Sequence, residues 1–172
     1  MADGPWMKPE LYYERGMARF QLGMAMRDLN QPGWEPKTRA ALADLDKVKT
    51  SVESGEGSPY DRKERIPRSL MAKGYVYVTL QDWAKAETAF REALTSGLRI
   101  WDDYEKGELK YQIGQAMNAV GKERTEWEPE LVASRGFYAR YAHQIQAKKS
   151  AKKELSPDEE LKERRTHVRM AL

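Results

Sequence analysis

The stretch between residues 67 and 98 places the tightest limits on what this chain can fold into, and it reads PRSLMAKGYVYVTLQDWAKAETAFREALTSGL. In its first half, Leu70, Tyr77 and Leu80 recur at spacings of seven and three, which places them on one stripe of an α-helix. Gly74 lies on the same stripe. Because glycine inside a helix costs about 1 kcal/mol relative to alanine, its presence predicts that another backbone approaches closely at this point.

The second half of this stretch predicts a partner helix that folds back on the first. Asp82 follows a short polar turn and is placed to cap the new helix through its carboxylate. The residues that then recur at spacings of three and four alternate between small and large, and they are Trp83, Ala86, Phe90 and Ala93. The sequence therefore predicts a helical hairpin with small residues where the helices cross.

This hairpin resembles a tetratricopeptide repeat, a unit of about 34 residues whose pattern is Leu-Gly-x2-Tyr, then Ala-x3-Phe, then Ala. Gly74 and Tyr77 match the first part of that pattern, and Ala86 and Phe90 match the second part. Lys73 departs from it, because the family usually has leucine at this position. The resemblance implies an α-helical scaffold that binds other proteins, and it does not name the partner.

A second copy of the pattern, weaker and interrupted, covers residues 9–50. Gly16 takes the place of Gly74 in its first helix, whereas Arg19 stands where the pattern has an aromatic residue. Its second helix, residues 37–50, repeats the rhythm of small and large side chains. The segment between the two helices is rich in proline and glycine, which is typical of a loop.

A third copy covers residues 105–140, and it matches the pattern well only at its start. Gly114 occupies the position of the pattern glycine in the first helix. Ala133 and Phe137 keep the Ala-x3-Phe spacing in the second helix, but Arg140 replaces the small residue that should follow. A terminal repeat is expected to be atypical because it caps the stack.

Together these hairpins predict an all-α protein, a short α-solenoid of about three hairpins with a charged helix after them. Residues 9–149 are predicted to form one repeat domain, and residues 150–172 a helical extension. Two segments, 51–66 and 121–128, are predicted to be linkers. The first of them is rich in glycine, serine and charge and has no apolar periodicity, so we expect a loop.

The C-terminal segment contains a strong signal for a last helix. Ser156 is placed as its N-cap, Pro157 falls in the first turn, and two acidic residues follow at the positive helix end. This helix is charged nearly all round, so it cannot hold itself in water. Three interpretations stay open: it lies on a partner, it is a solvated tail, or it covers the protein's own binding groove.

Composition excludes several classes of function. The chain has no cysteine, which excludes disulfides, thiol chemistry and cysteine-based metal sites. No apolar run approaches the roughly 18 to 20 residues that a membrane-spanning helix needs, and no secretory signal is visible. We therefore expect a soluble protein of the cytosol or of an organelle matrix.

The sequence gives little support to catalysis. Its two histidines, His143 and His167, fall on different predicted helices and lack the H-E-x-x-H spacing of a zinc site. No glycine-rich segment is followed by the Lys-Ser/Thr of a phosphate-binding loop. The acidic pair Asp102–Asp103 is more typical of a helix cap than of a metal site. We therefore expect a non-enzymatic protein without a cofactor or a bound metal.

The charge is mixed and only mildly basic, with 30 Lys and Arg against 27 Asp and Glu. That balance is too even for electrostatic binding of nucleic acid by the whole domain. Two local basic clusters stand out, one within residues 62–68 and one within residues 148–153, the latter followed by Arg164 and Arg165. A subunit that touches RNA through this basic loop and tail is the alternative hypothesis.

The resemblance to tetratricopeptide repeats implies a concave groove lined by the first helix of each hairpin. The positions that would line it are Tyr13, Met17, Phe20, Met71, Tyr75, Val78, Tyr111, Gln115 and Asn118. Family members that clamp a terminal carboxylate carry Lys, Arg and Asn there, whereas aromatic and methionine side chains suit an apolar protein segment. The expected function is a protein-binding adaptor or accessory subunit of a larger assembly, and a homodimer stays open.

Overall fold

The computed structural model describes residues 8–97, 101–151 and 153–171. Of the residues that the structure describes, 84% are helical and none forms a strand. The predicted all-α class is therefore confirmed, while the solenoid arrangement stays a prediction.

The helices group into two compact units, residues 1–100 and residues 101–172. The first unit contains α1 (Pro9–Asp28), α2 (Trp34–Glu53), a π-helical turn (Asp61–Arg65), α3 (Ile66–Thr79) and α4 (Trp83–Ser96). The second unit contains α5 (Asp103–Ala119), α6 (Arg124–Ser150) and α7 (Pro157–Ala171). The predicted division into residues 9–149 and 150–172 stays a prediction.

The predicted hairpin of α3 and α4 is present, but Gly74 makes room for an aromatic ring rather than for another backbone as the sequence predicts. A Cβ atom added to Gly74 would lie only 2.4 Å from a ring carbon of Phe90. Phe90 is fully buried, so its ring cannot swing away to make room. Asp82 caps α4 by accepting a hydrogen bond from the backbone N–H of Lys85, which confirms the predicted N-cap.

The other two hairpins use glycines in the same way. A Cβ atom on Gly16 would lie 3.1 Å from Leu45 of α2, and one on Gly23 would lie 2.2 Å from the Oγ1 atom of Thr38. In the second unit, a Cβ atom on Gly114 would lie 2.6 Å from Leu131 of α6. In all three hairpins, therefore, glycine on the first helix makes room for a side chain of the second helix, and at Gly23 the backbone of α2 is also close.

The core of the first unit joins the two hairpins. Ala41 and Leu45 of α2 form one buried cluster with Ala72 and Val76 of α3. Because these side chains are small or branched, α2 and α3 pack tightly, and burial of their apolar surface stabilises the unit.

The prediction of a linker at residues 51–66 is wrong over most of its length. Residues 51–53 complete α2, and the π-helical turn leads without a break into α3. The physical reason is local capping chemistry, because the Ser58 hydroxyl and backbone N–H both donate to the Asp61 carboxylate. The Arg65 guanidinium then pairs with Asp61 one turn later.

The predicted linker at residues 121–128 is too long, because α6 already begins at Arg124 and only residues 121–123 of this segment are non-helical. Glu123 and Glu126 form a capping box, in which each side chain accepts a hydrogen bond from the backbone N–H of the other. Arg124 pairs with Glu128 at 2.7 Å along the first turn. Charged residues that look like a loop in the sequence are therefore the first turn of a helix.

The core of the second unit is aromatic. Tyr104, Tyr138, Tyr141 and Ile145 form its buried cluster, and Leu155 packs against them. The Tyr104 ring lies 5.8 Å from the Tyr138 ring and 5.6 Å from the Tyr141 ring, measured between centroids. Aromatic pairs at such distances add to the stabilisation that area burial provides.

The predicted last helix is present, and it lies on its own chain. Ser156 and Glu159 cap its start reciprocally, with side-chain to backbone distances of 3.2 and 3.0 Å. Thr166 in the middle of α7 is buried. Of the three interpretations for this segment, a solvated tail is therefore wrong for the isolated chain.

We expect Gly74→Ala to lower the free energy of unfolding by about 1–3 kcal/mol, because the new Cβ atom would clash with the Phe90 ring. The matched control is Gly136→Ala in α6, where the nearest atom to a new Cβ is an Arg140 side-chain nitrogen at 3.9 Å. That control should gain about 0.5–1 kcal/mol from helix propensity alone. Denaturant titration measures both, and stabilisation by both substitutions would contradict the close crossing.

We expect the second unit to lose stability in alkaline solution. Burial raises the pKa of Tyr138, and burial raises the pKa of Tyr141 to about 12, whereas unfolded tyrosine ionises near pH 10. The neutral phenols therefore stabilise the folded state below about pH 10, and this contribution is lost as the pH rises through the folded-state pKa values. Tyrosinate absorbance and circular dichroism measured together should show the last ionisations accompanying helix loss. Complete ionisation of all 9 tyrosines with the helices intact would contradict this.

Candidate protein-binding surfaces

In the first unit, α1 and α3 lie side by side and run in the same direction. Near their starts, Glu10 pairs with Arg65 just before α3 at 3.0 Å. Near their ends, the Thr79 hydroxyl donates to the sulfur of Met24 at 3.4 Å. Both contacts join residues that are 55 positions apart in the chain. The constant offset means that equivalent turns of the two helices are neighbours.

The structure brings six of the nine predicted groove residues onto this helix pair. Tyr13, Met17 and Phe20 of α1 pack against the buried cluster of α2 and α3. All six are half-buried, so each keeps part of its side chain accessible, and they are Tyr13, Met17, Phe20, Met71, Tyr75 and Val78. We call these six residues the α1–α3 face.

Two tyrosines of the α1–α3 face are held firmly. The Tyr75 ring meets the buried Phe90 ring edge to face, with centroids 5.2 Å apart. Burial raises the pKa of the Tyr13 hydroxyl, against an opposing effect of the nearby Arg68 cation. Tyr75 therefore contributes to hairpin packing as well as to the surface, so its truncation would affect stability and binding together.

A buried carboxylate positions α1 on the first unit. Asp44 of α2 is 1% exposed and accepts hydrogen bonds from Arg15 and Arg19 of α1, each at 2.6 Å. This explains why Arg19 stands where the repeat pattern has an aromatic residue. A buried carboxylate needs ionic or hydrogen-bonded partners, and the two guanidinium groups supply them.

The remaining three predicted groove residues lie on α5 in the second unit. Arg169 of α7 covers Tyr111, with the guanidinium carbon 4.0 Å from the ring centroid. Gln115 is half-buried and Asn118 is exposed. In this unit, therefore, part of the predicted lining is occupied by the chain's own last helix.

The first turns of α5 carry a row of carboxylates, of which the sequence predicts a capping role only for the pair Asp102–Asp103. Asp102 does cap α5, in a capping box with Glu105. The same two carboxylates also face the Lys162 ammonium, at 2.8 and 3.9 Å. Glu108 continues the row and accepts hydrogen bonds from Tyr138 and Arg169. The sequence does contain a signal for this row, since an acid occurs at every third position from Asp102 to Glu108.

In the basic cluster at residues 62–68, two of the four cations pair with acids. Arg65 contacts both Asp61 and Glu10, and Arg68 lies 3.7 Å from Glu64. These neighbours reduce the net positive charge that the cluster presents to a phosphate backbone.

The basic cluster at residues 148–153 is paired in a similar way. Two of its lysines contact glutamates of α7, in the pairs Lys148–Glu159 and Lys149–Glu163. Lys152 lies outside the described residues. Arg164 and Arg165 are exposed on α7.

The histidines and acids of the described chain form no cluster of the kind that binds metal. His143 is exposed, and the Nε2 atom of His167 lies 3.9 Å from a carboxylate oxygen of Glu163. Within residues 8–97, 101–151 and 153–171, no three His, Asp or Glu side chains are grouped so that they could hold a metal ion. No helix in the same ranges has both the length and the apolar character to cross a bilayer.

Comparisons with protein-family models, with curated proteins and with solved structures found no match to this chain. The resemblance to tetratricopeptide repeats therefore rests on the residues of this chain alone.

We expect Asp44→Ala to lower the free energy of unfolding by about 3 kcal/mol, because it leaves two cations facing an emptied buried site. The matched control on the same helix is Asp46→Ala, whose side chain is 56% exposed and pairs with Lys73. An exposed pair contributes about 0–1 kcal/mol. Equal effects of the two substitutions in denaturant titrations would show that the Asp44 pairs do not position α1.

Proposed function

We propose that the protein is a non-enzymatic protein-binding module of tetratricopeptide-like hairpins, which serves as an adaptor or accessory subunit of a larger assembly. Its partner supplies an apolar segment that docks on the α1–α3 face.

One observation carries this proposal: the six side chains of the α1–α3 face are half-buried on two parallel helices, and all of them except Val78 are aromatic or methionine. Tyr13, Met17 and Phe20 pack against the buried cluster and keep part of their side chains accessible. Anchored aromatic residues dominate binding energy at protein interfaces, and methionine adapts to irregular apolar partners. A surface of this chemistry suits an apolar helix or an extended segment.

The repeat assignment is supported by the repeated use of glycine and by the helix order. The pattern glycines Gly16, Gly74 and Gly114 each lie where a second helix approaches closely. The parallel course of α1 and α3 in the first unit is the relation expected between the first helices of consecutive repeats. Both features favour the repeat interpretation over an unrelated helix bundle.

The nucleic-acid hypothesis is weaker on electrostatic grounds. Arg65, Lys148 and Lys149 already contact carboxylates of this chain. A phosphate backbone would have to displace those acids before counterion release could drive binding. Apolar docking should survive roughly 0.5 M salt, whereas binding through several phosphates would weaken by orders of magnitude.

We expect Met71→Gln to weaken capture of the native partner by about tenfold, because a polar amide replaces an apolar anchor at the interface. The measurement is quantitative mass spectrometry of complexes captured with the tagged protein, at low salt and at roughly 0.5 M salt. Met17→Gln, on the neighbouring helix, should weaken capture of the same partner.

The matched control is Leu22→Gln on α1, where the leucine side chain is 49% exposed and lies outside the α1–α3 face. It should leave capture unchanged. If all three variants capture the partner equally, or if capture disappears in high salt for the unaltered protein, the proposed function is wrong.

A further inference from the structure

α7 packs with its polar side inward and its apolar side outward. Thr166 is 1% exposed and the Lys162 side chain 17% exposed, whereas Leu161 and Val168 are 47% and 62% exposed. An ordinary surface helix does the opposite, because burial of an apolar stripe is what holds it in place. The attachment of α7 therefore depends on polar and ionic contacts.

One edge of α7 is basic and faces the carboxylate row of α5. Lys162 meets Asp102 and Glu105, and Arg169 meets Glu108 one heptad later, at 3.2 Å. Both cations also lie over tyrosine rings, with Lys162 at 5.6 Å from the Tyr104 centroid and Arg169 at 4.0 Å from the Tyr111 centroid.

The other edge of α7 is acidic and faces the end of α6. Glu159 contacts Lys148, and Glu163 contacts Lys149 at 2.7 Å. The hydrogen bond from the Lys148 ammonium holds the pKa of Glu159 below its ordinary value. The surface formed by α5 and α6 is therefore complementary in charge to a helix that has one basic edge and one acidic edge in a fixed register.

An open cleft of about 320 Å³ lies between α5 and α7, lined by Tyr104, Glu108, Arg164, Arg165, Val168 and Arg169. The two pairs with α6 involve lysines that are nearly half exposed, so salt screens them and each contributes little, and a helix as short as α7 is marginal on its own. Local opening of α7 should therefore require much less free energy than opening of α5 or α6.

We propose that the α5–α6 surface of the second unit is a docking site for a two-edged charged helix, and that α7 occupies it until a partner helix displaces α7. The partner helix carries Lys or Arg at two positions one heptad apart, corresponding to Lys162 and Arg169. It carries Glu three residues before and one residue after the first of these, corresponding to Glu159 and Glu163. This surface is separate from the α1–α3 face, and its test does not depend on the proposed function.

A partner can compete because the cleft offers contacts that α7 leaves unused. The tether gives α7 an effective concentration in the millimolar range, which a partner in trans must overcome. A helix with the same charges and a longer apolar side chain at the position of Val168 would fill the cleft and gain buried area that α7 lacks.

The test uses the full chain and a fluorescent peptide with the sequence of residues 156–172. The chain is studied unaltered and with Lys162→Gln and Arg169→Gln together, which loosen α7 without changing the docking surface. The peptide should bind the loosened variant about tenfold more tightly than the unaltered chain, because the tethered competitor is weakened. The control peptide carries Lys162→Glu and Arg169→Glu and should bind neither protein.

Hydrogen exchange provides the second measurement on the same proteins. Raising the salt from about 0.05 to about 0.5 M should speed exchange of the α7 amides while those of α5 and α6 stay protected. The proposal is overturned if α7 is protected as strongly as α5 at every salt concentration. It is also overturned if the peptide fails to bind a loosened variant whose α5 and α6 remain protected, or if the charge-reversed peptide binds equally well.

Discussion

The close approach of helices at glycine is the constraint on which the rest of this structure depends. Gly16 and Gly23 admit α2, Gly74 admits the Phe90 ring of α4, and Gly114 admits Leu131 of α6. Each glycine gives up about 1 kcal/mol of helix propensity, and the hairpin recovers it through burial of the facing helix. Because each hairpin packs its two helices so tightly, the side chains on the outer surface of the first helix keep a defined position. The α1–α3 face is built on that rigidity.

Helices with a strong period were predictable from the sequence, and interactions between distant residues were not. The spacing around Gly74 and the cap at Asp82 predict the α3–α4 hairpin, and the structure contains both. The composition of segments 51–66 and 121–128 predicts linkers, because composition does not show which side chains cap which backbone N–H groups. Arg19 departs from the repeat pattern because it pairs with Asp44, which lies on another helix. Such compensation joins residues far apart in the chain, which periodicity does not detect.

For the candidate site, the sequence predicts which residues lie on the first helix of each hairpin, but it does not predict how accessible their side chains are. Six predicted groove residues do share one parallel helix pair, but the packing of Tyr75 on Phe90 could not be read from spacing. Tyr111 was predicted to be open, and the structure places Arg169 over it. The two candidate surfaces differ in chemistry, since the α1–α3 face is apolar and the α5–α6 surface is charged. Under the proposed function, the two surfaces would receive two different kinds of partner segment.

Site-specific photocrosslinking in the native setting tests the central claim most directly. A photoreactive phenylalanine analogue replaces Met71 on the α1–α3 face, or Leu22 outside it as the reference position. The account predicts a discrete protein adduct from position 71 that persists at roughly 0.5 M salt, and none from position 22. An adduct only from position 22, or adducts only with nucleic acid, would contradict the claim that the α1–α3 face binds an apolar protein segment.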